Sequence, residues 1–238
     1  MGTAEKPVTR KFYETTIPYP NRPAVTAFAC EVYGALTCKN GVSRWLHAVT
    51  VADKAESLIH AHYLGEYGLI LPMQQMHIDS VYCAGLLHDS IKYCGVSFED
   101  IVFRANLVTA TAVSAVSSDH RLPGPLRIRE HVGRLAEADI HAQIVKLCSL
   151  WHNLEEAVEL FRTIEKKDAK DILRDWLVEC DLISDALHLV KHADATSKTY
   201  RWVEHAIKEL TRACDKYAQR ETILANMQAR LEVKKKRK

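Results

Sequence analysis

The chain has 238 residues and a formal net charge of +2, from 32 Lys and Arg against 30 Asp and Glu. It contains only nine glycines and seven prolines, a low share that argues against a turn-rich β-sandwich or a disordered chain and favours long helices. Hydrophobic residues make up 47% of the chain, which is enough to bury a full core without the help of disulfides. The near-zero charge excludes a global attraction to nucleic acid.

The seven cysteines form no C-x-x-C pair, and four of them lie in apolar segments: Cys83, Cys94, Cys148 and Cys180. An odd count in apolar surroundings favours a reducing compartment over a disulfide framework. The first residues lack the apolar stretch of a signal peptide, and no run approaches the 18 or so apolar residues of a membrane span. We therefore expect a soluble, cytoplasmic protein with no membrane segment.

The periodicity of apolar residues predicts an all-α fold. Residues 1–23 contain four prolines and are predicted to be an extended arm. Predicted helices run from Ala24 to a turn at Asn40-Gly41, over 44–67, 78–93, 141–161, 171–190 and 199–231, with a short one after an N-cap at Ser97. Residues 107–117 fit either a strand or a tightly packed helix, and 122–125 are predicted to be a loop. We expect one helical domain over 24–195, followed by a C-terminal helix and basic tail over 196–238.

The stretch from Gly85 to Lys92 brings a His and an Asp side by side at the end of an apolar run. Adjacent helical side chains diverge by about 100°, yet both can reach one cation near the helix edge. Imidazole and carboxylate together suit a divalent ion such as Zn, Mn or Fe. Lys92 follows Asp89 by one turn, in a position to meet a phosphate oxygen. The alternative is a buried His88–Asp89 pair with a purely structural role.

Other segments place this pair in a wider pattern. Before it, Arg44 and His47 open a helix, and after it the stretch from Lys146 to Leu154 lies on the clearest amphipathic helix. The ordered set resembles the HD-domain metal phosphohydrolases, which carry a His…His-Asp…Asp ligand set on a helical bundle. It is most similar to the hydrolase domain of RelA/SpoT proteins and to small alarmone hydrolases. These enzymes remove the 3′-pyrophosphate of (p)ppGpp with a bound Mn²⁺.

Four stretches carry the resemblance, over about residues 38–160. The family's R-K-D/N-G loop is matched by Cys38-Lys39-Asn40-Gly41, and its A-A-L-L-H-D motif by Ala84-Gly-Leu-Leu-His88-Asp89. Its V-T-D-D-x-x-L-P motif is matched by Val116-Ser-Ser-Asp119-His-Arg-Leu-Pro123. Its K-L-A-D-R-L-H-N-M motif is matched by Lys146-Leu-Cys-Ser149-Leu-Trp-His152-Asn153-Leu154. The resemblance implies that His47, His88 and Asp89 hold a metal, with Ser149 at the position of the fourth ligand. Mn²⁺ is the expected ion, and Zn²⁺ or Fe²⁺ remain alternatives. We expect substrate contacts from Lys39, Arg44, Lys146, His152 and Asn153.

The chain departs from the family at acidic positions. Ser149 stands where the family has an Asp ligand, and a neutral hydroxyl is a poor ligand for a hard cation. Water or another carboxylate, such as Asp119, is needed to fill the gap. The family's H-D-x-x-E-D continues here with Lys92 and Tyr93, so a cation and a phenol occupy the expected catalytic positions.

Two hypotheses follow from these departures. In the first, the chain is a metal-dependent hydrolase of a nucleotide pyrophosphate with an altered substrate, since H-D-x-x-K also occurs in other HD phosphohydrolases. In the second, the domain keeps the fold, has lost hydrolysis, and binds a nucleotide or a protein partner. The basic run Lys234–Lys238 is either a contact for RNA phosphates or a solubilising, disordered end.

Overall fold

The computed structural model describes residues 19–38, 41–163 and 166–212. Within these residues the chain forms ten bounded α-helices: α1 (Arg22–Tyr33), α2 (Arg44–Tyr67), α3 (Pro72–Leu87), α4 (Ser90–Cys94), α5 (Phe98–Arg104), α6 (Leu107–Val116), α7 (Gly124–Glu137), α8 (Ile140–Thr163), α9 (Lys166–Ala186) and α10 (His188–His192). Residues 194–212 are helical as well. The described part of the chain contains no strand beyond an isolated bridge between Thr37 and Ser43. The all-α prediction is confirmed.

Several local predictions agree with the structure. Helix α2 covers the predicted 44–67 and ends at Gly68, whose φ of 70° is the left-handed cap that glycine adopts readily. Ser97 caps α5 in a capping box with Asp100. The segment 107–117 is helix α6, which begins where the Asn106 side chain accepts a hydrogen bond from the Thr109 N–H.

The first helix differs from its prediction at both ends. Helix α1 begins at Arg22 because the Asn21 side chain caps it and Pro23 fits the first turn. It ends at Tyr33, well before the predicted turn at Asn40-Gly41. The next residue, Gly34, takes a φ of 44°. The residues of the predicted arm from 1 to 18 lie outside the described part of the chain.

The middle of the chain also differs from the prediction. The helix predicted over 78–93 is two helices, because α3 already begins at Pro72 and the chain bends at His88 and Asp89 before α4. Helix α7 was not predicted, and it begins inside the expected loop at Gly124. A proline is tolerated in the first turn of a helix, which explains both early starts.

Helices α2, α3 and α8 pack against one another at the centre of the fold. The closest approach lies at Gly85 of α3, where a Cβ would come within 2.6 Å of the Ala52 Cα of α2. Only a residue without a side chain permits this packing. The contact brings the start of α2 and the end of α3 together, and thereby brings His47 next to His88.

The described part of the C-terminal segment packs onto the same core, through Tyr200, Val203, Ile207 and Leu210. The Tyr200 hydroxyl donates a hydrogen bond to the Ser184 carbonyl at 3.1 Å. Residues 213–238, with the basic run, lie outside the described residues. The domain boundaries at 23 and 195 stay a prediction.

Two of the composition-based expectations concern the core and the membrane. Cys83, Cys148 and Cys180 are buried, as their apolar surroundings predicted, whereas Cys94 is partly exposed. Among the helices of the described residues, none has the length and apolar character needed to cross a membrane.

Candidate metal centre

The three predicted metal ligands lie together at the bend between α3 and α4. His47 Nε2 is 3.3 Å from His88 Nε2, and His88 Nε2 is 3.8 Å from Asp89 Oδ2. One ligand atom from each residue lies within 4.8 Å of the other two. Two ligands at about 2.1 Å from one ion are at most about 4.2 Å apart, so small side-chain shifts bring all three onto one divalent cation.

A backbone hydrogen bond sets the tautomer of His88. Its Nδ1 lies 2.7 Å from the Gly85 carbonyl oxygen, and because a carbonyl only accepts, Nδ1 carries the proton. The Nε2 lone pair of His88 therefore faces His47. Metal-binding histidines commonly donate their other N–H to a carbonyl or carboxylate in this way.

His47 is held as a neutral imidazole inside the protein. The residue is only 3% exposed. This burial lowers the pKa of His47 to about 3, and the nearby His88 acts in the same direction. Since His88 Nε2 accepts, His47 donates from Nε2. Its Nδ1 is then a buried lone pair, and it has no hydrogen-bond partner among the described residues. Such an orphaned nitrogen fits a cation ligand.

Arg44 provides a positive charge at the same point. Its Nη1 lies 2.5 Å from Asp89 Oδ2, and both side chains are largely buried. The guanidinium also lies over the Tyr93 ring at 3.6 Å. Burial alone would raise the pKa of Asp89, but neighbouring His88 and the surrounding cations outweigh it and lower that pKa. Asp89 is therefore a carboxylate, and Arg44 neutralises its charge.

Helix α8 provides further donor groups beside His47. The His152 ring centroid is 4.9 Å from that of His47, and His152 Nε2 is 3.6 Å from Glu156 Oε1. His47, His152 and Glu156 form a second group of donor atoms within 4.8 Å of one another. Ser149 is buried one turn before His152 on α8. Glu156 was missed by the sequence analysis, although its four-residue spacing from His152 was the available signal.

A cluster of basic side chains lies near the metal ligands: Lys92 of α4, His131 of α7 and Lys146 of α8. Burial lowers the pKa of Lys146 to about 8, and the charge of Lys92 acts in the same direction. His131 on α7 is 2% exposed, and neither of its ring nitrogens has a hydrogen-bond partner among the residues that the structure describes. Burial lowers its pKa to about 2, with Lys146 as the next cause. His131 was missed by the sequence analysis because α7 itself was not predicted.

The remaining predicted residues are placed apart from these contacts. Asn153 is partly exposed on α8. Asp119 is engaged by Arg121, whose Nη2 lies 2.8 Å from Asp119 Oδ2, and it belongs to neither donor group formed by the described residues. Lys39 lies outside the described residues.

Comparison with known proteins bears on the fold. No family model and no curated protein matches the chain. A solved structure of a metazoan ortholog of SpoT, which hydrolyses ppGpp and plays a role in starvation responses, is similar with a TM-score of 0.55. The sequences are 19% identical, and the likeness covers 83% of this chain and 97% of that one. The chain therefore has the helical fold of a ppGpp hydrolase, as the HD-domain resemblance predicted.

Proposed function

We propose that the chain is a metal-dependent hydrolase of a nucleotide pyrophosphate, similar to alarmone hydrolases but with an altered substrate. The observation that carries this proposal is the convergence of His47, His88 and Asp89 within 4.8 Å. Two neutral imidazoles and a carboxylate suit a divalent ion, for which we propose Mn²⁺. Such an ion, when bound, lowers the pKa of a coordinated water toward neutrality.

The surrounding cations fit a phosphate-bearing substrate. Lys92 follows Asp89 by one turn, and its charge acts on Lys146. As compact point charges, both lysines offset phosphate charge as it develops in the reaction. Arg44 presents a planar fork that suits a carboxylate or a phosphate equally. We assign Arg44 to the phosphates of the bound substrate, where it exchanges Asp89 for a phosphate oxygen.

The remaining assignments follow from the sequence pattern. We propose Tyr93, whose ring stacks under Arg44, as the residue that holds this guanidinium at the site. Lys39, His152 and Asn153 are proposed substrate contacts, with Asn153 toward the nucleotide. A cytoplasmic location remains a prediction.

The experiment is a product assay with Mn²⁺ and a panel of 3′-pyrophosphorylated nucleotides, NTPs, dNTPs and cyclic dinucleotides, read by mass spectrometry. We expect release of phosphate or pyrophosphate from a member of the panel. Asp89→Ala should abolish both turnover and Mn²⁺ binding at the His47, His88 and Asp89 group, because it removes the charged ligand. Asp119→Ala is the matched control, since that carboxylate pairs with Arg121 away from the donor groups. Normal turnover by Asp89→Ala would contradict the mechanism.

The contact between Arg44 and Asp89 favours a second candidate, a nucleotide-binding protein without hydrolysis. At 2.5 Å the guanidinium occupies the carboxylate that a metal needs. In that case the purified protein contains no stoichiometric metal and binds a nucleotide without releasing product. Elemental analysis and nucleotide titration calorimetry together distinguish the two functions.

An RNA contact through 234–238 is a separate proposal. It rests on the basic run alone, which lies outside the described residues. Deletion of residues 232–238 tests it, because unchanged RNA affinity in the shortened protein would remove it.

A further inference from the structure

A second set of metal-type donors shares His47 with the first group but does not include Asp89. It consists of His47 from α2 and of His152 and Glu156 from α8, with one donor atom of each within 4.8 Å of the others. The two imidazole rings are 4.9 Å apart between centroids. His152 Nε2 and Glu156 Oε1 are 3.6 Å apart, beyond a hydrogen bond but within the span of two ligands on one ion.

The buried nitrogens of this set lack partners. His47 Nδ1 and His152 Nδ1 are both inaccessible to water and unpaired among the described residues. The nearest acid to His152 Nδ1 is Glu155, whose Oε2 is 3.8 Å away. Leaving a buried polar atom unpaired costs free energy, and a cation bound by His47 Nδ1 relieves this cost at that nitrogen. His152 then binds the ion through Nε2, the atom that faces Glu156, and keeps its proton on Nδ1.

The neighbouring lysine is committed to another carboxylate. Lys54 Nζ lies 2.5 Å from Glu155 Oε2 and 3.8 Å from the centroid of the Trp151 ring. Glu156 has no lysine or arginine ion pair in the described part of the chain, and its contact is with His152. The Glu156 carboxylate is therefore available to a cation.

We propose that His47, His152 and Glu156 form a second divalent-cation site, suited to Zn²⁺. Two imidazoles and one carboxylate, with a position left open, form a recognised zinc donor set. Imidazole nitrogen is also a better ligand for zinc than for the hard ions Mg²⁺ and Ca²⁺. His47 is common to both donor groups, so the two sites meet at this residue.

In this proposal α8 contributes two metal ligands, His152 and Glu156, although position 149 carries a serine and not an acid. His152 and Glu156 follow Ser149 by three and seven positions, which places all three on one helix face. The donors of α8 are thus displaced along the helix toward its C-terminal end. This inference stands without the proposed hydrolase activity, since it concerns cation binding alone.

The test is equilibrium dialysis of the full chain against Zn²⁺, with bound metal counted by mass spectrometry. Asp89→Asn disables the first donor group and should leave one Zn²⁺ per chain. Addition of Glu156→Gln to Asp89→Asn should lower the Zn²⁺ affinity at least about 100-fold. Loss of a residue that only supports a metal ligand costs up to about 100-fold, so a larger loss identifies Glu156 as a ligand. Asp89→Asn combined with Glu155→Gln is the matched control, and it should retain the ion.

Equal zinc content in Asp89→Asn with and without Glu156→Gln would overturn the proposal, as would an Asp89→Asn protein that binds no zinc. Circular dichroism establishes that each variant is folded. In the chain with Asp89 intact, His47 bridges two ions only after its ring N–H proton passes to solvent and it becomes an imidazolate. Glu156→Gln alone should then also remove one bound Zn²⁺, which keeps the test independent of the folding of Asp89→Asn. An inactive chain that binds zinc in this pattern would refute the hydrolase and leave the second site standing.

Discussion

Gly85 of α3 and Ala52 of α2 lie so close that a Cβ on Gly85 would be 2.6 Å from the Ala52 Cα and 3.1 Å from its nitrogen. The obstacle is backbone, which cannot rotate away as a side chain can. The Gly85 carbonyl also accepts the hydrogen bond from His88 Nδ1. One glycine therefore sets both the spacing of the two helices and the orientation of a metal ligand.

Gly85→Ala should lower the free energy of unfolding and weaken metal binding together. Overpacking of a tight core contact costs about 1–3 kcal/mol, and separation of α2 from α3 also draws His47 away from His88. Urea denaturation and calorimetric titration with Mn²⁺ measure the two effects.

Gly133→Ala is the control for Gly85→Ala. Gly133 lies in α7, where a Cβ would meet nothing within 4 Å, so alanine should raise the stability by about 0.5–1 kcal/mol through its better helix propensity. Equal free energies of unfolding for Gly85→Ala and Gly133→Ala would mean that the contact with Ala52 does not set the spacing of α2 and α3.

Removal of the Arg44 side-chain charge should strengthen metal binding. Arg44→Gln frees the Asp89 carboxylate from a guanidinium at 2.5 Å, so a divalent ion no longer competes with a cation of the protein. We expect a rise in Mn²⁺ affinity of about tenfold, or roughly 1.4 kcal/mol. Calorimetric titration of the metal-free protein measures it.

Arg22→Gln controls for the loss of an arginine as such. Arg22 Nη1 pairs with Glu56 Oε1 at 2.6 Å, away from Asp89, and its loss should leave the Mn²⁺ affinity unchanged. A lower affinity in Arg44→Gln would instead mean that Arg44 holds Asp89 in place for the metal.

The pattern of apolar residues was sufficient to predict the helical class and the position of α2. It failed at α7, where His131 and Leu135 are the buried residues, because so sparse an apolar stripe resembles a solvated segment. It also failed at His88 and Asp89, since apolar residues continue through Ile91 and conceal the bend between α3 and α4.

The candidate site was predictable only as far as local motifs extend. The adjacent His88 and Asp89 form a short pattern, and the structure brings them to His47 as the motif requires. The roles of these residues stay a prediction. His131 and Glu156 join the site through the packing of separate helices, and no spacing along the chain contains that information.

The buried His131 should make the protein sensitive to acid. Its pKa is lowered to about 2 by burial, whereas in the unfolded chain it titrates near 6.5. Between these values the unfolded state binds more protons, so the free energy of unfolding falls as the pH falls below about 6.5. The contribution is at most about 1.4 kcal/mol per pH unit.

His131→Leu should flatten this pH dependence, measured by urea denaturation at several pH values from 7.5 downward. His60→Leu is the control, because His60 is exposed on α2 and the slope should not change. An identical slope in His131→Leu and the parent chain would show that His131 is not held neutral.

Ser149→Asp should restore an acidic metal ligand to α8. Ser149 is 7% exposed and lies on the face that carries His152. Without metal, a buried carboxylate with no partner destabilises the fold, so the melting temperature should fall. With Mn²⁺ present it should recover, because an ion that binds only the folded state stabilises it in proportion to the logarithm of its affinity.

The metal-dependent rise in melting temperature is therefore the measurement, and it should be larger for Ser149→Asp than for the parent chain. Ser149→Asn has the same size without the charge, and it should show the destabilisation but not the recovery. A rise of equal size in all three proteins would mean that the side chain at 149 does not face the ion. In that case the contribution of α8 to metal binding would come from His152 and Glu156 alone.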